Sequence, residues 1–161
     1  DYGLALLNRC KYGHKVKEGM LSLALLRSPV FPDPECDRGK HHIGYALYPH
    51  KDSFDSSDVI AKSYRYNNPV ILHKSDAALP SIATCDKDNI IIETVKVAES
   101  ESGIILRAYE ANGKETAAAI TFVKADAKAS ECDMLENPIR KCDLSQLTFR
   151  PHEIKTILIE V

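Results

Sequence analysis

Charge of one sign is missing from this sequence: 21 lysines and arginines stand against 23 aspartates and glutamates, a formal net of −2. No basic stripe accumulates, so neither nucleic acid nor a membrane surface is an expected partner. Long apolar runs are also absent, which excludes a membrane-spanning helix, and no signal-peptide pattern opens the chain. The chain starts at Asp1 without an initiator Met and enters a strand-like run at once, which reads as a piece of a longer protein. Its five cysteines (Cys10, Cys36, Cys85, Cys132, Cys142) contain no C-x-x-C pair. An odd, scattered set argues against a secreted disulfide framework and fits a cytoplasmic location. The thiols read as small buried hydrophobes rather than as nucleophiles.

The usual catalytic patterns are missing as well. No H-E-x-x-H and no G-x-S-x-G occurs, and none of His14, His41, His42, His50, His73 and His152 has a partner four residues away on a helix. His41 and His42 are adjacent, so in a strand they point to opposite faces and cannot chelate together. The paired acids in "DPECD" and "DKD" sit in loops with no apolar pocket to raise a pKa. No catalytic set and no metal site is expected within these 161 residues.

What is present is a series of short apolar runs separated by turn signals. "GLALLNRC" leads to "VKEGMLSLALLR", with Glu18-Gly19 as a tight reversal. "HHIGYALYPH" reads as a third strand, and "NIIIETVKVAE" with "GIILRAYEA" as a hairpin around "SESG". A further hairpin is expected at Asn112-Gly113, and "LTFR" and "IKTILIEV" close the series. "KASECDMLENPIRKCD" shows no clear period and reads as a connector. The expected fold is mainly β, an antiparallel sandwich, with one short helix near residues 56–67. That helix has Asp55 or Ser56 as its cap, Ile60 and Tyr64 four apart, and Pro69 as its stop.

One loop stands out. Residues 28–40 are much longer than a hairpin needs, and Pro29, Pro32 and Pro34 stiffen them. On the preceding strand Leu21, Leu23, Leu25 and Arg27 share a phase; on the following one His41, Ile43, Tyr45 and Leu47 do. If these strands are antiparallel neighbours, Arg27 and His41 extend an inward row onto one rim. That makes a polar lip facing a ligand or another domain, or else ordinary edge residues; phase alone does not choose.

The order of these segments resembles the carboxy-terminal β-domain of glycoside hydrolase family 38 α-mannosidases, in their bacterial and cytosolic branch. The resemblance is carried by Tyr2, Gly3, Leu6, Leu7, Asn8, Lys11, Tyr12 and Gly13, by Leu26 to Pro29, and by Pro32 to Pro34. It continues through Asp37, Gly39, His41 and Tyr45 to Leu47. "SYRYNNP", "IIETVKVAE", "LRAYEANG", "ECDMLEN" and "FRPHEIKTILI" follow in the family's order, so nearly the whole chain is covered. Ile43, where an aromatic is usual, and Gly44 depart from the pattern.

The resemblance implies one carboxy-terminal domain, residues 1–161, of a larger multidomain glycosidase. Its parent would remove terminal non-reducing α-D-mannose with retention, through a nucleophile and an acid/base. The nucleophile, and a divalent metal such as Zn²⁺ with its His and Asp ligands, would lie in a catalytic domain upstream. This segment would carry neither catalytic residues nor a cofactor. Its partners would be that upstream domain and, for the parent, mannose-containing oligosaccharides; homo-oligomerisation stays open. Arg27, Asp37 and His41 are the candidates for a substrate rim. Arg27 suits a hydrogen bond to a sugar hydroxyl or a catalytic carboxylate, and Asp37 could orient Arg27 or His41. The alternatives are a stand-alone carbohydrate-binding module, weakened by the absence of Trp for sugar stacking, and a purely structural or assembly domain.

Overall fold

The computed structural model describes residues 2–160. They form two compact units, divided between Ile71 and Leu72. The architecture is mainly β with antiparallel pairing throughout and one α-helix.

The first unit contains β1 (Tyr2–Asn8), β2 (His14–Lys17), β3 (Met20–Leu23), β4 (Tyr45–Lys51) and α1 (Val59–Asn67). The β2–β3 hairpin turns at Glu18-Gly19, where φ is 52° and 74°. Both values are positive, as the tight turn that matches strand twist requires. β1 pairs with β4 so that Leu6 faces Leu47 and Leu4 faces Pro49.

This pairing changes the expected phase. β3 ends at Leu23 and pairs with β2, while β4 begins only at Tyr45 and pairs with β1. Arg27 and His41 therefore lie outside both strands and do not extend one inward row. The physical reason is the partner: Arg9 N–H closes on the Gly44 carbonyl at 3.0 Å just where the β1–β4 ladder ends, so residues before Gly44 are left to the loop. Tyr45 and Leu47, read as inward, are 56% and 61% exposed, whereas Ala46, Tyr48 and His50 are half-buried.

The helix covers that half-buried face. It packs on β1, and Tyr48 donates from its hydroxyl to Asp58 Oδ1 at 2.7 Å. The Arg9 guanidinium lies 4.8 Å over the Tyr66 ring. The cap is Asp58 rather than Asp55 or Ser56, because Phe54–Ser56 form a separate 3₁₀ turn and Ser57 is extended. The helix ends at Asn67, ahead of Pro69 as expected.

The second unit contains β5 (Ala83–Cys85), β6 (Ile90–Val97), β7 (Ile104–Glu110), β8 (Thr116–Ala118), β9 (Ile120–Phe122), β10 (Lys128–Cys132), β11 (Pro138–Cys142), β12 (Leu147–Phe149) and β13 (Ile154–Glu160). One sheet runs β11-β10-β13-β7-β6, and two ribbons, β5–β9 and β8–β12, form the facing layer. Alternation supplies the core between them. Leu106, Ala108, Ala129, Ile157 and Ile159 from the large sheet meet Ala118, Ile120, Phe122, Leu147 and Phe149 from the ribbons. Each large side chain buried this way contributes about 1.5–3 kcal/mol.

Two sequence expectations fail here for identifiable reasons. The segment around "ECDMLEN" is a hairpin, β10–β11, rather than a connector. Its turn is organised by Asp133, whose carboxylate accepts from Leu135 N, Asn137 N and Asn137 Nδ2, each at 2.9 Å. A register shift between Glu131 and Cys132 breaks the alternation that would have revealed the strand. The Asn112-Gly113 turn exists, with Gly113 at φ 70°, but β7 and β8 do not pair; the turn carries the chain from one layer to the other.

Where β6 returns into β7, Gly103 is buried, and a Cβ there would overlap the Ile159 carbonyl oxygen of β13. Gly103→Ala should therefore destabilise the second unit by about 1–3 kcal/mol, the cost of overpacking against backbone. At Gly19, by contrast, nothing lies within 4 Å and only the positive φ of 74° opposes a side chain, so Gly19→Asn, the side chain that tolerates this region best, should cost less, about 0.5–1 kcal/mol. Urea melts of the two variants check the pair.

Candidate functional site

The loop that joins β3 to β4 holds the residues singled out from sequence. Ser28 has φ 47°, and its N–H donates to Asp37 Oδ2 at 2.7 Å. The Asp37 carbonyl accepts from His41 Nε2 at 2.9 Å. A carbonyl oxygen only accepts, so Nε2 is the donor in this bond. Asp37 thus ties the start of the loop to its middle and its middle to its end. Within the loop, Asp33 Oδ1 accepts from Glu35 N at 2.8 Å, and Arg38 pairs with Glu35 at 2.6 Å.

Asp37 and His41 are therefore brought together, whereas Arg27 stands beside Ser28 with its side chain exposed. Among the described residues no side-chain hydrogen bond or ion pair engages Arg27. Asp37 meets the backbone next to Arg27 rather than its guanidinium. Among the described residues no cluster of three or more His, Cys, Asp or Glu is placed to hold a metal ion.

The acids have a consistent character. Among the described residues every carboxyl with a displaced titration is displaced downward: Asp58, Asp86, Glu110, Glu131, Asp133, Glu136, Asp143 and Glu153. At Glu131, burial pushes the carboxyl up, but hydrogen bonds from Arg140 and Lys155 outweigh it. Lys155, only 4% exposed, sits 3.0 Å from Glu131 and 3.5 Å from Glu153. A glycosidase general acid needs the opposite shift, upward toward neutrality. These acids are held as anions.

Glu110 is the extreme case and was not legible as a special residue. It ends β7 in phase with Leu106 and Ala108 and is 1% exposed. Oε1 accepts from Asn89 Nδ2 at 2.9 Å and Asn112 N at 2.8 Å. Oε2 accepts from Gly113 N at 2.7 Å, Lys114 N at 3.1 Å and His152 N at 3.0 Å. The available signal was an acid at an inward strand position immediately before an Asn-Gly turn.

Comparison with known proteins assigns the chain. Residues 89–157 match the model of the glycosyl hydrolases family 38 C-terminal beta sandwich domain, and residues 1–35 match that of the family's C-terminal domain. The chain belongs to the carboxy-terminal β-domains of glycosyl hydrolase family 38. Among curated proteins it is 36% identical to α-mannosidase 2C1 of Mus musculus, over 99% of this chain and 17% of that protein. The Homo sapiens protein of the same name is 36% identical over 98% of the chain and 16% of its own length. α-Mannosidase G of Dictyostelium discoideum is 40% identical over 72% of the chain and 11% of its length. The chain thus spans a small part of each relative.

The Glu110 knot gives a pH dependence whose sign follows from its parts. Burial would raise its carboxyl, but donors from His152, Asn89, Asn112 and Lys114 lower it from 4.5 to about 2. The folded value lies below the unfolded one, so its stabilisation is fully present above pH 4.5 and is lost as pH falls toward 2. A displacement of that size corresponds to about 3 kcal/mol. Denaturant melts between pH 7 and 2.5 should show this loss, and Glu110→Gln should flatten it while lowering stability at pH 7. An unchanged pH profile in the variant would contradict the assignment.

Proposed function

We propose that this chain is the carboxy-terminal, non-catalytic part of an α-mannosidase that removes terminal non-reducing α-D-mannose, and that it buttresses an upstream catalytic domain. The observation that carries this reading is likeness along nearly the whole chain to proteins named α-mannosidase. We further propose that the β3–β4 loop lends its residues to the rim of the mannose site. In this reading Asp37 and His41 set the loop's shape, while Arg27 presents a permanent cation with fixed donors to a sugar hydroxyl or a catalytic carboxylate.

Two outcomes test this. The rigorously purified 161-residue chain should not hydrolyse an aryl α-mannoside, with or without added Zn²⁺; metal-dependent turnover by it would overturn the reading. In the full-length enzyme, loss of one charge-assisted hydrogen bond costs about 1.5–3 kcal/mol. Arg27→Ala should then lower kcat/KM by about ten- to a hundredfold, with an unchanged melting temperature. If kcat/KM and melting temperature are both unchanged, Arg27 is ordinary surface and the rim role fails.

A further inference from the structure

The two faces of the β1–β4 ribbon are unlike. Gly3, Ala5 and Leu7 with Ala46, Tyr48 and His50 form the face under α1, where Leu7 and Val59 are buried. The opposite face pairs Leu4 with Pro49 and Leu6 with Leu47 at its centre, and Tyr2 with Lys51 and Tyr45 with Asn8 at its two ends. Tyr2 is 87% exposed, Leu4 55%, Tyr45 56% and Leu47 61%. Leu7 and Val59 are also the buried apolar side chains of the whole first unit among the described residues; all the others belong to the second unit. The area alone is ordinary, but an isolated two-stranded ribbon is at best marginally stable, so this one needs packing beyond the helix on its other face.

We infer that this outer face is an interior surface in the full-length protein, covered by an apolar face of the polypeptide that precedes β1. The inference rests on the reading above that the chain is part of a larger enzyme. It deepens that reading by naming the surface through which the parts meet. Two observations favour the same polypeptide over a second copy. The mouse relative extends far beyond the match, which takes up 17% of it, so there is ample further chain to supply the cover. The ribbon is also small: seven-residue strands at about 3.4 Å per residue, side by side at about 4.8 Å, present a face of roughly 200–300 Å². Two copies joined through it would bury roughly 500 Å², well short of the roughly 1,200 Å² of a stable interface. A covalently attached partner has no such minimum, because its effective concentration is already high.

Hydroxyl-radical footprinting of the full-length protein, read residue by residue by mass spectrometry, tests this without any variant. Rates are normalised to those of the unfolded protein, and Leu135, 81% exposed on the β10–β11 turn, serves as the exposed reference. The expected result is that Tyr2, Leu4, Tyr45 and Leu47 react at least about tenfold more slowly than Leu135, independently of protein concentration. Rates within about twofold of Leu135 would overturn the inference. Protection that disappears on dilution would also overturn it, because a second copy would then be the cover. Turnover of an aryl α-mannoside by the same preparation is scored separately. Turnover with an open face sinks the docking surface alone, and a protected face without turnover sinks the α-mannosidase reading alone.

Discussion

The Glu110 carboxylate is the fixed point around which the second unit is assembled. Its two oxygens collect five donors from three separate stretches of chain, the approach to β6, the β7–β8 turn and the β12–β13 corner. Four of those donors are backbone N–H groups that would otherwise need water inside a buried corner. The strand crossing from the large sheet to the β8–β12 ribbon follows from this capture. The chain turns at Asn112-Gly113 because the N–H groups of residues 112–114 converge on one carboxylate, which prevents a simple hairpin with β7. His152 reaches the same anion from the corner before β13, so the two layers are pinned at one end by charge-assisted bonds and along their length by apolar packing.

The two units carry different kinds of stability. In the second, Phe149, Ile105, Leu106, Ile157 and Ile159 are fully buried, and the ribbons close one face of the sheet. In the first, a helix shelters one side of a two-stranded ribbon, and much of the cohesion comes from polar ties such as Tyr48–Asp58 and Arg9–Tyr66. Polar ties at half-exposed positions are individually weak. The acids complement this picture. Held as anions by N–H donors and cations, they brace turns and strand ends.

Much of the fold was legible in the sequence. The Glu18-Gly19 and Ser100–Gly103 reversals, the alternation in β6, β7 and β13, and the single helix before Pro69 all follow from local chemistry. What stayed hidden depends on partners. β4 pairs with β1 rather than with β3, which reverses the side that Tyr45 and Leu47 face. The β10–β11 hairpin is masked by a register shift and a turn built on side-chain acceptors. Of the candidate site, the Asp37–His41 link was within reach of sequence reasoning, but the role of the Asp37 carboxylate was not. It binds a backbone N–H nine residues away, and a main-chain donor leaves no mark in residue identity.

The same arrangement separates the shape of the β3–β4 loop from its charge. Asp37 closes the loop through the Ser28 N–H and the His41 ring, and the Arg27 side chain takes no part in that closure. Position 27 is thus free to be exchanged for another residue, cationic, neutral or acidic, while the backbone around it keeps its course. Asp37 has no such freedom. A lineage carrying this scaffold can change the charge that the loop presents by drift at one position without disturbing the closure that Asp37 makes.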